Sequence, residues 1–144
     1  MALMNKEQIM EVIPHRDPFL LIDEIIEMEP GQRVVAKKYM KEDEFWFKGH
    51  FPGFPVVPGV LMLEMLAQAG AVAMLSLPEH KGKIGLFGGV KDAKFRRQVV
   101  PGDTLTLEVE IIKVKGPVGV GKAIATVDGQ KAVSAEITFA LMSK

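Results

Sequence analysis

Cysteine is absent from this 144-residue chain, so disulfide staples are excluded. Histidine is nearly as scarce, at three residues, which leaves little from which to build a structural zinc site. Neither sign of charge is in excess. Eighteen basic residues meet eighteen acidic ones, and no global basic field points to nucleic acid. No long apolar run is free of polar residues: the best, residues 60–75, carries Glu64 and Gln68 and is a poor membrane span. The first six residues lack the apolar region of a signal peptide, which sets the expectation of a cytoplasmic protein. There is no internal repeat and no low-complexity linker, and the length suits one domain over residues 1–144. What the chain does have is apolar surface. Hydrophobic residues make up 48%, enough to expect that part of the surface meets another subunit.

The stretch Gly49-His50-Phe51-Pro52-Gly53-Phe54-Pro55-Val56-Val57-Pro58-Gly59 is dense in Pro and Gly and reads as a rigid series of turns. At Gly59 the composition changes to Leu, Met and Ala, which favour helix. Pro58 suits a helix start and Pro78 lies beyond the end, so a helix is predicted over residues 59–76, about 27 Å long. It is apolar on every side and is expected to be buried all round. Glu64 is its anomaly, because a carboxylate in apolar surroundings must be paired, hydrogen-bonded or protonated. Gln68 stands one turn later on the same face.

Around this helix the patterning is mostly that of strands. Residues 5–12 read as a short helix capped by Asn5, with Gln8 completing a capping box. Strands are predicted over 19–28 and 33–40, turned by Pro30-Gly31, and over 83–90 and 104–111. Gly88-Gly89 and the phase slip at Ile111-Ile112 both suggest bulges. Residues 116–121 read as a flexible Gly-rich turn without the Lys and Ser/Thr of a phosphate loop. Residues 122–127 and 130–142 form a hairpin around Asp128-Gly129. Several antiparallel strands and one long central helix make an α+β layout in which the sheet curls around the helix.

His50 is the strongest candidate for chemistry. It sits on a stiffened loop beside Phe45, Trp46, Phe47, Phe51 and Phe54, which form either core or an apolar channel wall. His15, in the turn Pro14-His15-Arg16-Asp17-Pro18, and His80, in a polar loop, are more readily read as structural. A neutral imidazole is a suitable base near pH 7, and a carboxyl in apolar surroundings can serve as an acid. The backbone N–H of Gly59 at the helix start can polarise a carbonyl oxygen. Together these suit removal of a proton α to a carbonyl with loss of a β-hydroxyl. Lys91-Asp92-Ala93-Lys94-Phe95-Arg96-Arg97 is a local basic cluster, either a solvated strand face or a dock for an acidic partner.

The block from His50 to Leu61, followed by Glu64 and Ala67-Gln68, resembles the signature of the FabZ-type 3-hydroxyacyl-[acyl-carrier-protein] dehydratases. Ile13-Pro14-His15-Arg16 with Pro18-Phe19-Leu20-Leu21-Ile22-Asp23 resembles the family's N-terminal block, and Lys94-Phe95-Arg96-Arg97 with Val100-Pro101-Gly102-Asp103 its later one. The resemblance implies a hot-dog fold, a homodimer assembled into a trimer of dimers, and dehydration of (3R)-3-hydroxyacyl chains on acyl carrier protein to trans-2-enoyl chains in type II fatty acid elongation. It implies that His50 takes the C2 proton, that Glu64 protonates the departing hydroxyl, and that the Gly59 N–H holds the thioester carbonyl. Lys94, Arg96 and Arg97 become candidates for docking the carrier protein, and no metal or organic cofactor is called for. Three rivals stand beside this reading: an isomerising relative of the FabA type, which usually carries Asp where this chain has Glu64; a hot-dog thioesterase; and a non-catalytic lipid- or carrier-binding module.

Overall fold

A computed structural model describes residues 2–144. The elements follow in the order α1 (Lys6–Met10), β1 (Glu24–Glu29), β2 (Arg33–Tyr39), α2 (Gly59–Leu75), a 3-10 turn (Pro78–His80), β3 (Ile84–Phe95), β4 (Thr104–Lys115), β5 (Val118–Val127) and β6 (Gln130–Met142). All six strands join one antiparallel sheet in the order β1-β2-β4-β5-β6-β3. The sheet curls over α2, which reaches every strand. This is the α+β, hot-dog arrangement that the patterning and the resemblance lead one to expect.

Local signals were obeyed where a short motif sets the backbone by itself. The Asn5 side chain accepts from the Gln8 N–H, and Gln8 answers at the Asn5 N–H, closing the capping box. Asp128 and Gly129 both take positive φ, as a tight hairpin turn requires. Bulges fall between Phe87 and Gly89 and between Ile111 and Lys113.

Three expectations need correction. The first strand starts at Glu24, not at residue 19. Residues 19–22 lie outside the ladder, which the Asp23 N–H enters by donating to the Lys37 carbonyl: the Leu21 N–H donates to Gln68 Oε1, and the Phe19 carbonyl accepts from Gln68 Nε2. Leu20, Leu21 and Ile22 are buried there. The Gly-rich stretch is not a loose turn, since Val118 to Gly121 pair with both β4 and β6. Glycine is demanded at position 119, because a Cβ there would stand 2.2 Å from the ring of Phe139. Finally, α2 is not covered all round within one chain. Its Met65–Leu66 and Gln68–Gly70 side is buried, while Val60 is 70% exposed and Leu61, Leu63, Ala67 and Ala71 are partly covered.

The two edges of the sheet differ. The β1 edge is blunted by the N-terminal segment, where Leu3 and Met4 exchange backbone hydrogen bonds with Ile25. The β3 edge is twelve residues long, has no strand partner among the described residues, and exposes Leu86, Phe87, Val90 and Phe95. The apolar part of this edge, residues 84–90, is open to pairing with another chain, whereas Lys91, Asp92, Lys94 and the shift between Lys91 and Lys94 blunt the rest.

Buried polar groups fasten the loops to this frame. Lys38, 3% exposed on β2, pairs with Glu44 at 2.9 Å and with Asp23 at 3.7 Å, and lies over the Trp46 ring. It thereby anchors the aromatic turn that leads to His50. Gln68, 1% exposed in α2, binds residues 19 and 21. Replacing Gln68 by Leu would leave the Leu21 N–H and the Phe19 carbonyl without their partner. That substitution should cost about 1–3 kcal/mol of stability, measured as a shift of the urea midpoint at unchanged m-value.

Candidate active site

His50 is presented by a tight reversal. The Phe51 and Phe54 backbones exchange hydrogen bonds, and the Val56 N–H donates to the His50 carbonyl. The imidazole stacks on the Phe51 ring at 4.1 Å, with Nδ1 2.8 Å from the Val56 carbonyl oxygen. A carbonyl oxygen only accepts, so Nδ1 carries the proton and Nε2 keeps its lone pair. This is the tautomer that a base needs, and it is set by the backbone of the same loop.

The loop then enters α2. Pro58 precedes the first helical residue, Gly59, and no side chain caps this end. The first amides of the helix are therefore donors with no intrahelical acceptor. His50, Gly59, Val60 and Met62 share one cavity with Phe95, Arg96 and Arg97 of the later block. Phe95 packs against Gly59 so closely that a Cβ at residue 59 would meet its ring at 2.7 Å. Glycine is thus needed at this position to let an aromatic ring approach, a demand with no local mark in the sequence.

Glu64 lies elsewhere. Its Oε2 accepts from Gln68 Nε2 at 2.9 Å, which makes Gln68 the link between the acid and residues 19–21. Oε2 is also 3.7 Å from Nε2 of His15. Glu64 and His15 line an apolar cavity with Gly85, Leu86 and Phe87 of β3 and Phe139 of β6. The His15 imidazole is held below the ordinary histidine value by burial, with the Glu64 carboxylate pulling it upward and Arg16 adding to the lowering. It is therefore neutral at pH 7.

The residues singled out by sequence thus fall into two groups. His50, Gly59, Arg96 and Arg97 share one cavity; Glu64 and Gln68 line another. One chain does not bring His50 and Glu64 to the same cavity. The basic cluster is divided as well. Lys94 and Arg96 are exposed, whereas the Arg97 guanidinium donates to the Val127 carbonyl and to Gln130, 3.8 Å from Asp103. The aromatics near His50 also split: Trp46 and Phe47 are core, while Phe45, Phe51 and Phe54 are more than half or about half exposed. His80 touches Lys83 and stands apart from both cavities. His15 is the residue that sequence reasoning passed over. It is 49 positions from Glu64, and no spacing rule joins a turn to a helix at that distance.

A family model described as the FabA-like domain matches residues 13–136, which include every residue of both cavities except the last ones of β6. A 3-hydroxyacyl-[acyl-carrier-protein] dehydratase FabZ of Clostridium novyi is 62% identical over 141 residues, covering 98% of this chain and 99% of that protein. The protein of the same description from Staphylococcus aureus is 60% identical, over 97% of this chain and 96% of its own length. Among solved structures, the dehydratase heterocomplex ApeI:P of Xenorhabdus doucetiae superposes with a TM-score of 0.81 at 16% identity, over 94% of this chain and 91% of its own. A hypothetical thioesterase from Streptococcus pneumoniae, solved with coenzyme A, superposes at 0.65 and 16% identity, over 84% and 86% of the two chains. At such identities those two structures speak for the fold alone. Family model and near-full-length identity together go further: the chain belongs to the FabA-like family, among the FabZ-type 3-hydroxyacyl-[acyl-carrier-protein] dehydratases.

Proposed function

We propose that this chain removes water from (3R)-3-hydroxyacyl chains carried on acyl carrier protein, giving trans-2-enoyl chains in type II fatty acid elongation in the cytoplasm. Dehydration of 3-hydroxyacyl-acyl carrier protein is the activity named for its relatives, and the carrying observation is identity of 57–62% over nearly the whole chain. In the chemistry we assign, His50 Nε2 takes the C2 proton and the freed electron pair forms the C2=C3 bond. The C3–O bond breaks, and Glu64 gives its proton to the departing hydroxyl, which leaves as water. The Gly59 N–H supports the thioester oxygen, where negative charge gathers as C2 loses its proton. A proton then returns from the imidazolium to the carboxylate to reset the site. No metal or organic cofactor enters these steps.

The two residues are proposed to meet across a homodimer, His50 of one copy working with Glu64 of the other. The division between two cavities and the open apolar first half of the β3 edge support this reading, because Leu86 and Phe87 belong both to that half and to the Glu64 cavity. Dimers would assemble further into a trimer of dimers. Lys94 and Arg96, exposed beside the His50 cavity, are assigned to the acidic carrier protein, with Arg97 contributing from its tethered position.

Glu64→Gln and His50→Ala should each lower turnover by roughly two orders of magnitude or more while leaving the fold intact. The assay is conversion of 3-hydroxyacyl carrier protein, with 2-enoyl, 3-enoyl, free-acid and unreacted products resolved. A folded variant that keeps near-wild-type dehydration removes the role given to that residue. A 3-enoyl product would mark an isomerising enzyme, and a free acid a thioesterase.

Sharing is checked by co-expressing His50→Ala with Glu64→Ala subunits. Half of randomly paired dimers are mixed, and each has one complete site of two, so about a quarter of wild-type activity should return. Mixed dimers, identified by two different tags, that stay inactive would exclude a shared site. Lys94→Glu with Arg96→Glu should raise KM for the carrier-linked substrate by roughly 2- to 30-fold, the scale of two exposed ion pairs. A short thioester lacking the protein should be turned over as before; equal loss on both substrates would point to damaged structure instead.

A further inference from the structure

The neighbourhood of Glu64 holds a group that the steps above leave unused. His15 projects from the turn between α1 and residues 19–23, and that turn is fixed at both ends. On one side the Arg16 guanidinium donates to the carbonyls of Met10 at 3.0 Å, Ile13 at 3.0 Å and His15 at 2.7 Å. On the other, Gln68 holds the Phe19 carbonyl and the Leu21 N–H. The same Gln68 amide donates to Oε2 of Glu64. The turn and the acid are thus indexed to one buried side chain, and His15 Nε2 arrives at that same oxygen, 3.7 Å away.

The tautomer follows from what surrounds the ring. Nδ1 is buried and has no hydrogen-bond partner among the described residues. A buried N–H without an acceptor is costlier and rarer than an unused lone pair. A neutral His15 therefore carries its proton on Nε2, the ring nitrogen near Glu64 Oε2. At 3.7 Å this is longer than a hydrogen bond; contacts of this kind tighten when a site is filled.

We propose that His15 is a positioning residue for the acid: as a neutral imidazole protonated on Nε2, it joins Gln68 in donating to Oε2 of Glu64, so that the transferable proton rides on Oε1. The chemistry of a carboxylic acid requires this division. Its carbonyl oxygen accepts, and its hydroxyl oxygen must keep a direction free in which to donate. An oxygen faced by two N–H groups serves as the carbonyl, and the proton is left to the other. His15 and Gln68 thus choose the oxygen that delivers the proton and fix the carboxyl plane relative to the cavity, as outer-shell donors do for other reacting groups. The inference rests on Glu64 being the acid.

The test compares His15→Phe, His15→Gln and His15→Asn with wild type and with Glu64→Gln, using the full-length protein and the carrier-linked substrate. Phe keeps the ring and removes the donor. Gln places an amide N–H near the position of Nε2, whereas the shorter Asn places it near Nδ1. His15→Phe and His15→Asn should lose roughly 10- to 100-fold in kcat with KM within about twofold. His15→Gln should stay within about fivefold of wild type. Wild-type kcat in the Phe variant, equal impairment of Gln and Asn, or an effect on KM alone would overturn the proposal. Should Phe fail to fold, the contrast of Gln with Asn decides. A fully active Glu64→Gln would instead remove the acid itself, and with it the premise.

A second measurement checks that His15 is neutral. The charged groups that face it are Glu64 from α2 and Arg16 from its own turn. Burial sets the folded value below the ordinary one, so the unfolded chain takes up the proton first. The stability linked to a neutral His15 is complete above about pH 6.5 and is lost as pH falls below it. Wild type should therefore lose more urea resistance than His15→Gln between pH 8 and pH 5.5. If wild type gains relative to His15→Gln on acidification, His15 is an imidazolium paired with Glu64, and the neutral-donor role is wrong.

Discussion

A helix as apolar as α2 has to be covered, and one copy of this chain leaves Val60 exposed and one stripe of it only partly covered. The curled sheet buries Met65, Leu66, Ala69 and the residues from Val72 to Leu75. What it leaves is the stripe from Val60 through Leu63 and Ala67 to Ala71, together with the unpaired edge of β3. Most other features of the molecule answer to this constraint. Residues 19–22 leave the ladder in order to place Leu20, Leu21 and Ile22 in the core. Glycine is required at 59 and 119 where aromatic rings close in on the backbone. The open surface that remains is adjacent to Glu64, since Leu86 and Phe87 line its cavity.

A polar residue inside such a helix is tolerated only when all of its groups are used. Gln68 meets that condition with three partners, and in doing so it ties residues 19–21 to the Glu64 carboxylate. The hydrogen bonds that hold residues 19–21 on the helix also hold the carboxyl of Glu64. His50 is held by a different device: a tight reversal whose own carbonyl, at Val56, selects the tautomer of its imidazole. Glu64 and His50 are thus each held by groups of their own chain, at separate cavities. Two half-sites of this kind are completed when a second copy supplies the other half, the assembly we propose.

The parts that were legible in the sequence are those that short-range physics controls. A Pro/Gly-rich loop feeding an apolar helix could be read directly, as could the Asn5 cap, the Asp128-Gly129 turn and the anomaly of Glu64. The misreadings share a cause, which is long-range pairing. Residues 19–22 look like strand because Phe19, Leu20, Leu21 and Ile22 are strand residues, but a helix side chain claims their backbone groups. Residues 118–121 look like a loop because two of them are glycine, yet strands on both sides bind them, and Phe139 needs the space that Gly119 leaves. His15 looked like an ordinary turn histidine because its partner lies on another element, and Lys38 gave no sign that it would be buried between two carboxylates.

The central claim is that one chain holds two halves of different sites and that dehydration requires two chains. It is tested most directly by measuring sedimentation and turnover on the same samples across a dilution series, for wild type and for Val90→Lys, which puts a charge on the exposed edge of β3. The account predicts that activity per chain falls in step with the dimeric fraction, and that the variant reaches half-activity at a higher concentration than wild type. A monomeric population with full activity per chain would contradict it.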